Sequence, residues 1–182
     1  MSMREEVTTS RDLKAVQIPY GYEVEIPANS VVNIVQSLGG AYTVVTDRGQ
    51  MVRVAGQEVE ALGKEIAAGP QHEGEVSAEE LEKLVWDQLK TCFDPEIPVN
   101  IVDLGLVYQC EVTPQADGSF NVGVKMTLTA PGCGMGPVLA NDVRGKILTL
   151  PRVTDADVQV VFDPTWDRSM MSEAAKLQLG MY

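Results

Sequence analysis

Between a strand-like pattern and a helix-like one, the chain reads Thr127-Leu128-Thr129-Ala130-Pro131-Gly132-Cys133-Gly134-Met135-Gly136-Pro137. This places one cysteine in a glycine-rich turn at an expected helix N-terminus. Backbone N–H groups and the positive end of the helix dipole favour a thiolate over a thiol there. The three glycines leave the sulfur unshielded and let a ligand approach the backbone. Such a thiolate has two suitable chemistries. It can ligate iron, with turn N–H groups bonding to the sulfurs, or it can attack a persulfide or disulfide on a partner. A buried cysteine acting as a small hydrophobe is the bland alternative, and the glycine neighbours argue against it. The turn also invites a phosphate-loop reading. It lacks the lysine and hydroxyl such a loop needs, and Pro137 stands in their place.

The other candidates are weaker. Cys110 falls on the inward side of an alternating strand, and Cys92 in the last turn of an amphipathic helix, so both read as core. Three cysteines therefore cannot close a four-cysteine cluster site within one chain. A cluster held through Cys133 would be shared between two copies, completed by a small thiol, or shared with a partner. Asp103 precedes the strand that pairs with the one leading to Cys133, and hairpin geometry places it close to Cys133. It reads equally as a hard second ligand or as a loop cap. Glu96 reads as solvated, and Thr127 and Thr129 as hydrogen-bonding within the loop. The single histidine, His72, lies in a polar stretch and is a poor base for a Cys/His hydrolase.

Two blocks of pattern must position these residues. Residues 1–15 are polar and read as a mobile arm. From 22 to 62, short alternating runs and turns follow, with a hairpin across Asp47-Arg48-Gly49. This half reads as a small β-barrel or roll with no catalytic constellation. A polar stretch, Gly69-Pro70-Gln71-His72-Glu73-Gly74-Glu75, then ends an N-terminal region at 1–75. The domain at 76–182 opens with the capping-box spacing Ser77-x-x-Glu80 and the stripe Leu81, Leu84, Val85, Leu89, predicting a helix that ends near Phe93 before Asp94-Pro95. Leu104 to Val112 and Phe120 to Leu128 alternate as strands around Asp117-Gly118. After the cysteine turn, a helix carries Val138, Leu139, Val143, Ile147 and Leu148, and a strand carries Val158, Val160 and Phe162. A strand–helix–strand connection makes its strands parallel. The fold class is therefore α+β. A small β-rich domain precedes an α-β-β-α-β domain with a three-stranded mixed sheet and helices on one side. Residues 169–179 read as a short tail helix, with Trp166 packed on the domain and Met170-Met171 docking onto it or onto a partner.

The net charge of −12, from 26 acidic and 14 basic residues, argues against nucleic acid and anionic membranes, which need a basic footprint. No run of 18 apolar residues exists and the N-terminus has no apolar signal core, so a cytoplasmic protein with no membrane segment is expected. The odd, unpaired cysteine count fits a reducing compartment.

Three ordered motifs resemble those of the PaaD-like metal–sulfur cluster assembly domain family. They are Asp94-Pro95-Glu96-Ile97-Pro98 with Asn100-Ile101-Val102-Asp103-Leu104-Gly105-Leu106-Val107, then the Cys133 loop, then Phe162-Asp163-Pro164-Thr165-Trp166-Asp167 with Met171-Ser172-Glu173-Ala174-Ala175-Lys176. The resemblance spans residues 77–182 and implies a role in iron–sulfur protein maturation. Carried over by position, Cys133 would be the functional cysteine and possible metal ligand, and Asp103 the acidic position accompanying it. The cargo would be an iron–sulfur cluster, transient or shared between subunits. The partners would be the iron–sulfur assembly machinery and client apoproteins, with a homodimer as one way to share a cluster. A non-catalytic factor is expected. An adaptor that binds no metal and a thiol-dependent enzyme stay open.

Overall fold

The computed structural model describes residues 4–67, 74–94, 97–132 and 134–181. The chain divides into two compact units, Met1–Ala68 and Gly69–Tyr182.

The first unit is a six-stranded antiparallel sheet. Its strands are β1 (Glu5–Thr8), β2 (Leu13–Gln17), β3 (Tyr22–Ile26), β4 (Val31–Leu38), β5 (Ala41–Thr46) and β6 (Met51–Val54), in the order β1-β4-β5-β6-β2-β3. On a flat sheet, β3 and β4 would lie four strand spacings apart, roughly 19 Å. The short connection from Ile26 to Val31 spans at most roughly 18 Å when fully extended. The sheet therefore curls into a roll. Thr9 ties the curl, its hydroxyl donating to the Pro27 carbonyl at 2.7 Å and accepting from the Ser30 N–H at 2.9 Å. The alternating side chains Val32, Ile34, Val44, Val52 and Val54 are fully buried inside. A 3-10 helix at Gly56–Leu62 adds Val59, Ala61 and Leu62 to that core.

The expected mobile arm at 1–15 is corrected here, since β1 and much of β2 lie within it. Few of its residues are apolar, but they stand at alternate positions. Leu13 and Ala15 are 2% and 3% exposed, and Val7 packs on the same core. One or two inward apolar side chains per strand suffice when the neighbouring strands supply the rest of the face.

The second unit begins with α1 (Ala78–Leu89). Ser77 and Glu80 cap it reciprocally, the Ser77 hydroxyl accepting from the Glu80 N–H and the Glu80 carboxylate from the Ser77 N–H. Its buried stripe is Leu81, Val85 and Leu89. The helix closes at Lys90, earlier than expected, and Cys92 turns inward at 1% exposure. The strands β7 (Val107–Pro114), β8 (Phe120–Met126) and β9 (Val153–Val160) form a mixed sheet in that order. β7 and β8 pair as an antiparallel hairpin, while β8 and β9 run parallel across α2 (Gly136–Leu148). Both helices pack against the sheet and each other, around a core that includes Val122, Val124, Met126, Val143 and Ile147.

Three local expectations shift. The β7–β8 register slips between Val107 and Gln109, making Tyr108 the extra residue of a bulge rather than a member of the inward row. β9 ends at Val160, leaving Phe162 outside it and 45% exposed. The tail folds as a 3-10 turn at Arg168–Met170, ended by the extended backbone of Met171, and a short α3 (Glu173–Gln178) capped by the Ser172 hydroxyl. His72 lies outside the described residues.

Candidate functional site

All three motifs meet at one end of the β7–β8 hairpin. Antiparallel pairing places the start of β7 beside the end of β8, with Val107 opposite Met126. The Thr127 N–H extends the ladder by donating to the Leu106 carbonyl at 2.8 Å. The loop entering β7 and the loop leaving β8 are thereby joined.

The entering loop is organised by two polar side chains. Asn100 starts a tight helical turn. Its carboxamide oxygen accepts from the Asp103 N–H at 2.9 Å and its amide donates to the Asp103 carboxylate at 2.7 Å. Asp94 is only 5% exposed. Its carboxylate accepts from the Ile97 N–H at 2.9 Å and, across 35 residues, from the Thr129 hydroxyl at 3.4 Å. Asp94 therefore joins the first motif to the cysteine loop. In the sequence Asp94 ends a helix and heads the first motif, but its link to Thr129 is not visible there, because an Asp-Pro reads as punctuation until its partner is seen.

The tail fastens the same loop from the other side. The Ser172 N–H donates to the Asp103 carbonyl at 2.7 Å, and its hydroxyl to the Asp103 carboxylate at 3.1 Å. The Trp166 indole donates to the Leu104 carbonyl at 2.7 Å, and the bulged Tyr108 hydroxyl to the Pro164 carbonyl at 2.7 Å. Gly105, at φ +77°, lets the Met170 backbone come so close that a Cβ would sit 2.2 Å from the Met170 carbonyl oxygen. Both carboxylate oxygens of Asp103 thus accept protein hydrogen bonds, one from the turn and one from the tail.

Cys133 lies outside the described residues, as does Glu96. Around the position, Pro131, Gly132 and Gly134 are exposed, and Gly132 has φ +77°. Helix α2 has Met135 at its N-cap, which makes no side-chain cap, and it carries no acidic residue in its first turn, with Pro137 at its beginning. Its first N–H groups and dipole are left to whatever the loop presents. At the base of this loop, Thr127 is 1% exposed and its hydroxyl has no hydrogen-bond partner among the described residues. A buried hydroxyl without a partner is costly. It is the one described feature here that the fold itself does not explain. Thr129 is accounted for by Asp94.

The remaining cysteines are set apart. The Cys92 sulfur is buried and faces the Gln88 carbonyl at 3.7 Å. Burial, and then the Glu82 carboxylate, push the Cys110 thiol up to about 11, and its side chain packs against the core. Neither forms a disulfide. Among the described residues, no group of three or more His, Cys, Asp or Glu side chains is arranged to hold a metal ion.

Residues 82–175 match the family model described as "Iron-sulfur cluster assembly protein". The chain belongs to that family. The matched stretch contains most of α1, the hairpin, the cysteine loop, α2 and the tail contacts to Asp103. Three relatives named as Fe-S protein maturation auxiliary factors align to this half. One from Porphyromonas gingivalis is 47% identical over 92 residues, covering 50% of this chain and 84% of the relative. YitW of Bacillus subtilis is 39% identical over 103 residues, covering 57% and 97%. SufT of Staphylococcus aureus is 41% identical over 88 residues, covering 48% and 96%. The aligned lengths show that the β-rich unit adds to what these relatives contain.

Proposed function

We propose that this chain is a non-catalytic iron–sulfur maturation factor that relays an iron–sulfur species through Cys133 to client apoproteins. Family membership across residues 82–175 is the observation that carries the reading. The exposed glycine loop ahead of the uncapped N-terminus of α2 supports Cys133 as the group that meets the cargo. A thiolate at that point would accept the orphaned N–H groups. Thr127, buried and unpartnered, is suited to donate to a sulfur, and Asp94 and Thr129 to fix the loop. Asp103 serves this reading as a positioning residue or a weak ligand.

Cys92 is buried, and Cys110 is half-buried against the core with its thiol pushed up to about 11, so Cys133 is the cysteine best suited to offer a thiolate to a metal. A cluster carried by this protein takes its remaining ligands from a second copy, a small thiol or a partner. Transient possession suits a factor that must release its cargo. The partners are the assembly machinery and client proteins, and residues 1–75 and 76–182 act as separate domains in that exchange. No described helix is long and apolar enough to cross a membrane, and we place the protein in the cytoplasm.

Anaerobic reconstitution with iron and sulfide tests the reading, on the wild type and on Cys133→Ser. Visible absorbance with iron and sulfide counts should show a cluster in the wild type and little in the variant. Equal loading of both, or loading of neither, would contradict relay through Cys133. In the second case an adaptor that organises other carriers becomes the better reading.

A further inference from the structure

The β-rich unit has an open seam. Among the described residues β3 forms a ladder with β2 only, so it is one of the two margins of the rolled sheet, β1 being the other. In an antiparallel pair, half the backbone N–H and C=O groups of such a strand point away from its one neighbour. Along that margin lies a cavity of about 250 Å³, walled by Val24, Glu25 and Ile26 on one side and by Val32, Thr46 and Arg48 among others across from them. Pro27 ends the strand. At its other end Tyr20 and Tyr22 stack with ring centroids 6.2 Å apart, 61% and 67% exposed.

Proteins usually shield a free strand margin with charge or by covering it. The strand's own charged side chains are acidic, while Arg48 stands on the far wall of the cavity. Glu23 and Glu25 occupy alternate positions, and Lys14 reaches Glu23 at 3.3 Å. Glu25 has no ion-pair partner among the described residues. If β3 paired antiparallel with its copy about Val24, Glu23 of each strand would face Glu25 of the other. Like charges directly opposite destabilise such a pair. The margin is thus built against a second copy and towards a strand that brings positive charge.

The geometry points to β3 as a docking site for an extended segment of another protein, added as a seventh strand, with a lysine or arginine opposite Glu25. Main-chain hydrogen bonds to β3 would hold the segment, and the Glu25 cross-strand pair would select it. The stacked tyrosines give its end an aromatic platform. This inference concerns the unit outside the family match and stands apart from the relay through Cys133.

The test uses the full chain and synthetic hexapeptides, one alternating lysine with valine and one alternating glutamate with valine. The basic peptide should slow hydrogen exchange of the 22–26 amides and bind about fivefold tighter than the acidic one, the upper range for one cross-strand charge pair. Glu25→Lys should reverse that preference by a similar factor. A basic peptide with N-methylated backbone amides should give no protection. Failure of both peptides to protect β3 would overturn the proposal, as would a preference untouched by Glu25→Lys or binding that survives N-methylation. Self-association through β3, seen as a sedimenting dimer abolished by Val24→Pro, would also overturn it in favour of a second copy.

Discussion

Burial in a strand facing the helices raises the Cys110 thiol to about 11, with the Glu82 carboxylate adding to the effect. The folded chain therefore holds this proton more tightly than the unfolded chain does. That contributes stability below the thiol's ordinary value near 9, and the contribution is lost as pH rises towards 11. The stability difference between wild type and Cys110→Ala, from urea melts, should shrink across that interval and stay flat below it. At neutral pH, iodoacetamide should modify Cys133 well before Cys92 or Cys110, which react only on unfolding. Equal rates for all three would contradict the division of roles among the cysteines. Thr127→Val makes a sharper point. Its hydroxyl is buried and unpartnered, so replacing it with a methyl group should leave stability unchanged or raise it by about 1 kcal/mol. Iron retained after reconstitution should fall nonetheless. A loss of more than about 1 kcal/mol would mean the hydroxyl has a structural partner instead. The glycines and prolines around Cys133 were informative in one dimension because each limits the backbone locally. Asp94 was silent there because its role depends on Thr129, 35 residues away.

At the scale of elements, regular segments with strong period were legible and their meeting points were not. The Ser77–Glu80 box and the Leu81, Leu84, Val85, Leu89 stripe predicted α1, whose start is fixed by the box and whose end comes at Lys90 rather than near Phe93. The parallel pairing of β8 and β9 followed from the helix between them. The fastening of the tail onto the Asn100–Leu106 turn could not be read, because it is made by single side chains and by the absence of one at Gly105. A methyl group there would meet the Met170 carbonyl oxygen, in a backbone conformation at φ +77° that already disfavours a side chain. Gly105→Ala should cost more than about 2 kcal/mol in urea unfolding and expose the Trp166 indole, shifting its fluorescence to the red. A neutral substitution would show that the tail does not bear on the turn. Ser172→Ala removes both the α3 cap and a bond to Asp103, and should cost about 1 kcal/mol. The polar N-terminal segment is the clearest failure of sequence reading. β1 and β2 carry too few apolar residues to stand out, yet their alternation closes the roll.

At the scale of the whole molecule, the chain joins a family domain to a β-rich unit with a separate core. If the two act as separate domains, the fragment 76–182 should fold alone with an unchanged cysteine loop. The full chain should then show two calorimetric transitions, one matching the fragment. The central claim is that Cys133 is the only thiolate this chain offers an iron–sulfur species, so a cluster is always shared. Native mass spectrometry of the anaerobically loaded protein tests it most directly. The account predicts cluster mass only on assemblies of two chains, or on single chains carrying an added small thiol or a partner. A single unadorned chain holding a complete cluster, with iron and sulfide in matching stoichiometry, would contradict it.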